Sequence, residues 1–164
     1  MEIKEINYGF KVDRTIKRIK QELQKLFNSL DFGITVDQWV ILDQLQQRNG
    51  LGQHELANET FKDAPTVTRI IDLLCQKGLT ERRLDTQDRR RFRVYLTEQG
   101  MDKINHILPI VEEVRMAGWQ NLTMEDYNHL ERILDIVFDN HLDIQNRIIG
   151  RLREKNLLEK KVEA

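Results

Sequence analysis

The stretch that decides the fold lies between residues 79 and 96: Leu79-Thr80-Glu81-Arg82-Arg83-Leu84-Asp85-Thr86-Gln87-Asp88-Arg89-Arg90-Arg91-Phe92-Arg93-Val94-Tyr95-Leu96. Phe92, Val94 and Leu96 alternate with Arg93 and Tyr95, and the pattern predicts two short strands, 79–84 and 92–96. The connection 85–91 is too long for a two-residue hairpin turn and holds three consecutive arginines. Between residues 81 and 93, six of thirteen residues are Arg and none is Lys. Arg makes the better fork donor to phosphate and is favoured in narrow minor grooves, so the loop reads as a nucleic-acid contact. Asp85 and Asp88 would orient it, by accepting bonds from loop N–H groups or by pairing with Arg82 or Arg83. A charged hairpin that only blocks edge pairing is the alternative.

Upstream of this hairpin the spacing predicts a helix over 63–77, with Asp63 as N-cap, Pro65 in the first turn and Gly78 as the left-handed residue that ends it. At about 100° per residue, Val67, Ile70, Ile71 and Leu74 share one face, and Pro65, Thr68, Arg69, Asp72 and Gln76 share the other. The outward N-terminal half is small and polar with one Arg, which suits close approach to a major groove and a fork donor to guanine. A short helix over 53–59 precedes it, after an Asn49-Gly50 turn and a short strand at Leu51. Short helix, turn, second helix and two-stranded ribbon is the winged helix-turn-helix order.

Further out, Ile16, Ile19, Leu23, Leu26, Phe27 and Leu30 space a helix over 12–31, stopped by Asp31-Phe32-Gly33. Thr35, with Gln38 as its capping-box partner, opens the next helix, to about residue 48. Thr97 caps a helix to about Gly118 that contains, and should kink at, Pro109. Thr123 with Asp126 starts one long final helix whose stripe includes Leu130, Leu134, Val137, Phe138, Ile144, Ile148 and Leu152. The fold expected is mainly α with a small β-hairpin wing: one domain over 5–150, a DNA-binding lobe at 34–98, dimerisation helices at 10–31 and 98–156, and a frayed tail at 157–164. A chain of 164 residues cannot cover the stripes of its outer helices with its own core, so a second copy is the expected partner.

The apolar fraction is 40% and the charged fraction 32%, with 2 Pro and one Cys, which excludes an intramolecular disulfide framework and a Cys-built zinc finger. Charges at Glu2, Lys4 and Glu5 argue against a signal peptide, and no apolar run of membrane-spanning length exists, so a cytoplasmic protein with no membrane partner is expected. His54, His106, His129 and His141 have no His or Cys at helical spacing, and no catalytic motif is present; neither metal nor cofactor nor enzymatic activity is expected. The net charge of -1 at first argues against DNA, but residues 62–93 hold 9 basic and 5 acidic residues, a local +4.

Leu56-Ala57, Pro65-Thr66-Val67-Thr68-Arg69-Ile70-Ile71-Asp72 and Lys77-Gly78-Leu79 resemble the helix-turn-helix of MarR-family transcriptional regulators. Asp85-Thr86-Gln87-Asp88-Arg89-Arg90 resembles that family's wing signature, and Leu96-Thr97-Glu98-Gln99-Gly100 the segment that follows it. The resemblance implies a homodimeric repressor on a pseudo-palindromic operator in double-stranded DNA. Pro65, Thr66, Thr68 and Arg69 become groove or phosphate contacts, and Arg90, with Arg89 and Arg91 as alternatives, becomes the wing-tip contact. It also implies release by a small aromatic or lipophilic effector, with Phe27, Trp39 and His106 as candidate pocket residues that ordinary core packing would equally select. A winged helix used only for protein contacts is the rival function. Gln87 stands where the family usually has Arg, Asp63 where it has Ser or Thr, and Leu73 and Cys75 where it has polar residues. Cys75 lacks a neighbouring His and reads as structural rather than oxidant-sensing.

Overall fold

The computed structural model describes residues 8–162, with side chains to Arg153. The chain forms α1 (Tyr8–Ser29), α2 (Val36–Gln47), β1 (Leu51–Gly52), α3 (Gln53–Thr60), α4 (Ala64–Gln76), β2 (Thr80–Leu84), β3 (Phe92–Leu96), α5 (Glu98–Gly118), α6 (Met124–Leu142) and α7 (Ile144–Val162). It divides into two compact units at the Gly118–Trp119 junction.

In the first unit the helix starts follow the side chains that cap them. Thr35 Oγ1 accepts the Gln38 N–H at 3.2 Å while Gln38 Oε1 accepts the Thr35 N–H, a reciprocal capping box. Asp63 Oδ1 accepts the Thr66 N–H at 2.8 Å, and Thr97 Oγ1 that of Gly100 at 3.0 Å. Gly78 ends α4 at φ +70°, and Thr97 reaches back across that turn to donate to Gly78 O at 2.6 Å.

The sheet has the order β1-β3-β2, all antiparallel, with Leu51 opposite Val94 and Arg82 opposite Val94 on the other side. One hydrophobic core joins Leu23 and Phe27 of α1, Trp39, Ile41, Leu42 and Leu45 of α2, Leu56 of α3, Val67, Ile71 and Leu74 of α4, Val94 of β3 and Ile104, Ile107 and Val111 of α5. Burying such a side chain contributes about 1.5–3 kcal/mol each against leaving it in water. The predicted inward face of α4 is therefore the buried one.

Several expectations need correction. Of the alternating set on β3, Val94 and Leu96 are buried, but Phe92, at the distal end of the hairpin beside Leu84, is more than half exposed. In α1 only Leu23 and Phe27 are buried, while Ile16 and Ile19, and Leu30 just past its end, stay exposed, in line with the expectation that the chain's own core does not cover this stripe. The long final helix is two: α6 stops at Leu142, where Asp143 leaves helical geometry (φ -125°, ψ 14°) and accepts the Asn146 side-chain N–H at 2.7 Å. Asp and Asn side chains compete with the helix ladder for backbone and local partners, and Asn140, Asp143 and Asn146 concentrate that competition within about two turns. The tail expected to fray from 157 is helical through Val162; residues 5–7 of the expected domain, and Glu163 and Ala164, lie outside the described residues. α5 contains Pro109, as expected.

In the second unit, α6 has no buried residue among those described, and Trp119 stacks on Tyr127 at 5.9 Å between ring centroids. Ile133, Leu134, Val137, Phe138, Ile144 and Ile148 remain exposed there.

Candidate nucleic-acid interface

α4 carries its outward side chains on a frame fixed from both ends. Lys62 pairs with Asp37 at 2.6 Å, and Lys77 donates to Gly33 O at 2.6 Å and to Gln38 Oε1 at 2.9 Å, so the residues flanking α4 are tied to the start of α2. From α3, the Gln53 amide donates to Ala64 O at 3.4 Å and to the Thr68 hydroxyl.

The predicted groove residues separate under this geometry. Pro65, Thr66 and Arg69 are exposed, and Thr68 is half-buried. The Thr68 hydroxyl donates to Ala64 O at 2.8 Å while accepting from Gln53, so it serves the α3–α4 packing before any ligand arrives. The Thr66 hydroxyl donates to Asp63 Oδ2 at 2.8 Å. The Thr66 backbone and side-chain bonds hold the Asp63 carboxyl below its ordinary range, so the cap stays charged. Arg69 makes no hydrogen bond or ion pair among the described residues. Its five donors are unused among the described residues.

The wing turn is organised by Asp85, the one buried charged residue among those described. Its Oδ1 accepts the N–H groups of Gln87 (2.7 Å) and Asp88 (3.1 Å), and its Oδ2 accepts from Arg93 Nε. Those two backbone bonds, then Arg93, bring its pKa down to about 2. Asp88 Oδ1 accepts the Arg90 N–H at 3.0 Å, and Arg91 pairs with Asp88 at 3.2 Å. Asp85 and Asp88 thus take loop N–H groups as expected. The partner expected for Asp85, Arg82 or Arg83, is replaced by Arg93: Arg82 lies on the other face of β2, and Arg83, although opposite Arg93 in register, is held by Glu81. Arg82 meets Asp72 of α4 at 2.6 Å, and Arg83 pairs with Glu81 over the Tyr95 ring, 4.6 Å from its centroid. At the tip Arg89 and Arg90 are exposed, with no side-chain partner among the described residues.

Four side chains have structural roles that the sequence reading did not assign: Gln53, Glu55, Asp72 and Arg93. Arg93 also donates to Gly50 O at 2.9 Å and lies 3.5 Å from Glu55, whose carboxylate accepts the Gly52 N–H at 2.8 Å. It joins the wing turn to β1 and α3. Its place among the outward residues of β3 was a usable signal, whereas Gln53 had none.

The candidate effector residues are linked through Phe32, whose ring lies 5.3 Å from that of Phe27. Phe27 and Trp39 pack edge to face in the core, 6.4 Å between centroids, and His106 is exposed with its ring 5.7 Å from Phe32. A groove of about 370 Å³ lies along α4, lined on that side by Thr66, Arg69, Ile70 and Leu73 and opposite by Gln24, Thr35, Asp37 and Gln38. Cys75 is half-buried with Sγ 3.4 Å from the Thr80 hydroxyl. Among the described residues, no His, Cys, Asp and Glu cluster could hold a metal ion, and no helix is long and apolar enough to cross a membrane.

A three-helix lobe with a fixed second helix and an arginine-tipped ribbon beside it is the winged helix-turn-helix of transcriptional regulators. The sequence model described as "MarR family" matches residues 34–92. A Bacillus subtilis (strain 168) protein, the uncharacterized HTH-type transcriptional regulator YwoH, is 32% identical over 105 residues, 62% of this chain and 76% of that protein. The HTH-type transcriptional repressor IacR of Pseudomonas putida is 24% identical over 123 residues, 75% of this chain and 72% of that protein. The crystal structure of the S. aureus MepR-DNA complex superposes with a TM-score of 0.74 at 25% identity, covering 83% of this chain and 99% of that one. The chain belongs to the MarR family, whose members are transcriptional regulators and not enzymes.

Proposed function

We propose that this protein is a sequence-specific double-stranded DNA-binding repressor that acts as a homodimer on a pseudo-palindromic operator and is released by a small aromatic or lipophilic molecule. The observation that carries the DNA reading is the set of cations with no internal partner among the described residues: Arg69 on α4 and Arg89 and Arg90 on the wing tip. Elsewhere in the lobe the arginines are spent on Asp72, Asp85, Asp88, Glu55 and Glu81. Arg69, with Pro65 and Thr66 beside it, reads the major groove; Arg89 and Arg90, with Arg91 as a further phosphate contact, reach the flanking minor groove. The MepR complex, of like fold, contains DNA, and the Pseudomonas putida relative is a repressor by name.

Homodimerisation is supported by apolar side chains that the single chain leaves exposed on α1, α6 and α7. Two copies present two α4 helices, and a symmetric operator with half-sites about one turn apart satisfies both. Effector release follows if a ligand changes the spacing of the two lobes or covers Arg69 in the groove along α4.

Selection of bound duplexes from random DNA tests the reading. A palindromic consensus is expected, and Arg69→Ala should weaken binding to it by about 1–3 kcal/mol while relaxing preference at one base position per half-site. A selection that returns no consensus would remove the proposal. Calorimetry with candidate aromatic acids tests the effector arm; no ligand that binds or shifts operator affinity would remove that arm alone.

A further inference from the structure

β2 is unusual in how little holds it. Thr80 is buried, but Glu81, Arg82, Arg83 and Leu84 are all exposed, so no apolar burial fixes the distal strand against α4. Among the described residues, two side-chain polar contacts join α4 to β2. The first, Cys75 Sγ to Thr80 Oγ1, sits at the strand's base. The second, Arg82 Nη1 to Asp72 Oδ1 at 2.6 Å, sits two residues further out. Strand alternation puts Arg82 on the face opposite Glu81 and Arg83, and its register partner Val94 is buried. The Arg82 stem therefore lies along the edge of the core while its head meets Asp72. On the other edge of the hairpin, Arg93 ties β3 to Gly50 and Glu55.

We propose that Asp72 and Arg82 are positioning residues that fix the wing against α4 and keep the Arg82 guanidinium off the DNA backbone. The pair thus sets the distance between the major-groove and minor-groove contacts and favours specificity over bulk affinity. A protein that reads two grooves at once gains discrimination only while the two readers stay in register. A wing free to swing would still find phosphates, because phosphates are everywhere on the duplex. Asp72 also withholds one cation from the non-specific term, which scales with the number of phosphates neutralised. The inference rests on the DNA-binding reading above.

The experiment measures affinity for the selected operator and for an unrelated duplex across a salt series, for the full chain and for Asp72→Asn, Arg82→Gln, Asp72→Glu and the reciprocal swap Asp72→Arg with Arg82→Asp. In Asp72→Asn the freed Arg82 should tighten binding to the unrelated duplex and steepen its salt slope by about one unit per protomer. The ratio of operator to unrelated affinity should fall about two- to fivefold, the range for an exposed ion pair. Arg82→Gln should lower the ratio without steepening the slope, and Asp72→Glu and the reciprocal swap should restore it. A merely structural role would scale both affinities together through the folded fraction and leave ratio and slope unchanged. Unchanged ratio and slope in both Asp72→Asn and Arg82→Gln, with the operator still bound, would overturn the pair's role alone. Failure of the unmodified chain to prefer any duplex would overturn the DNA-binding reading and the clamp with it.

Discussion

At the scale of single residues, two positions carry consequences out of proportion to their size. A Cβ at Gly100 would sit 2.0 Å from Leu79 O, a backbone atom that cannot step aside, since Leu79 O also accepts the Thr97 N–H at 3.2 Å. Gly100→Ala should therefore destabilise the fold by about 3 kcal/mol, the upper end of overpacking costs, read as a lowered melting temperature. Asp85 gathers two loop N–H groups and Arg93, and its carboxyl is held from 3.8 down to about 2. Because the folded state binds the proton less readily than the unfolded chain, the stabilisation is fully present above pH ~4 and is lost as pH falls through about 2. An NMR titration of the Asp85 carboxyl should show that low midpoint. Asp85→Asn should speed amide exchange at Gln87 and Asp88 at neutral pH, with little effect on the core of α2 and α5.

At the scale of elements, α4 and the wing are built on different principles. α4 has a buried face, a charged cap, and lysines tying both flanks to the start of α2, so it is held rigidly. The wing has almost no core and is held by ion pairs and turn bonds, which leaves its tip arginines to the solvent. Arg90→Ala should accordingly leave stability unchanged and make the salt dependence of DNA binding shallower by about one unit per protomer. An unchanged slope would show that Arg90 does not meet a phosphate. The same contrast explains which parts of the elements were legible in the sequence. Caps at Thr35, Asp63, Thr97 and Thr123 and the turn at Gly78 depend on a few neighbouring residues, and each lies where the sequence puts it. Partners across elements, such as Gln53 with Thr68 or Arg82 with Asp72, depend on docking angles that no local pattern encodes.

At the scale of the whole molecule, exposed apolar residues on both units call for a partner. Size-exclusion chromatography with light scattering should give twice the chain mass of 19.6 kDa. Leu134→Glu in α6, or Ile16→Glu in α1, should shift the protein toward monomer and weaken operator binding cooperatively with protein concentration. A monomer for the unmodified chain would contradict the homodimer.

The sequence by itself determined the element order as far as the start of α6, the inward face of α4, the caps and the family, because periodicity, turn chemistry and motif spacing are local properties of the chain. It also placed the positive charge in residues 62–93 despite a net charge of -1. Only the tertiary structure decided which of those charges remain available. Ion pairing is a contest among neighbours in space: Arg82 went to Asp72 and Arg93 to Asp85, Thr68 turned to Gln53, and Phe27 and Trp39 closed into the core. Arg69, Arg89 and Arg90 were left without an internal partner among the described residues, and that remainder, more than the arginine count, is what the proposed DNA interface consists of.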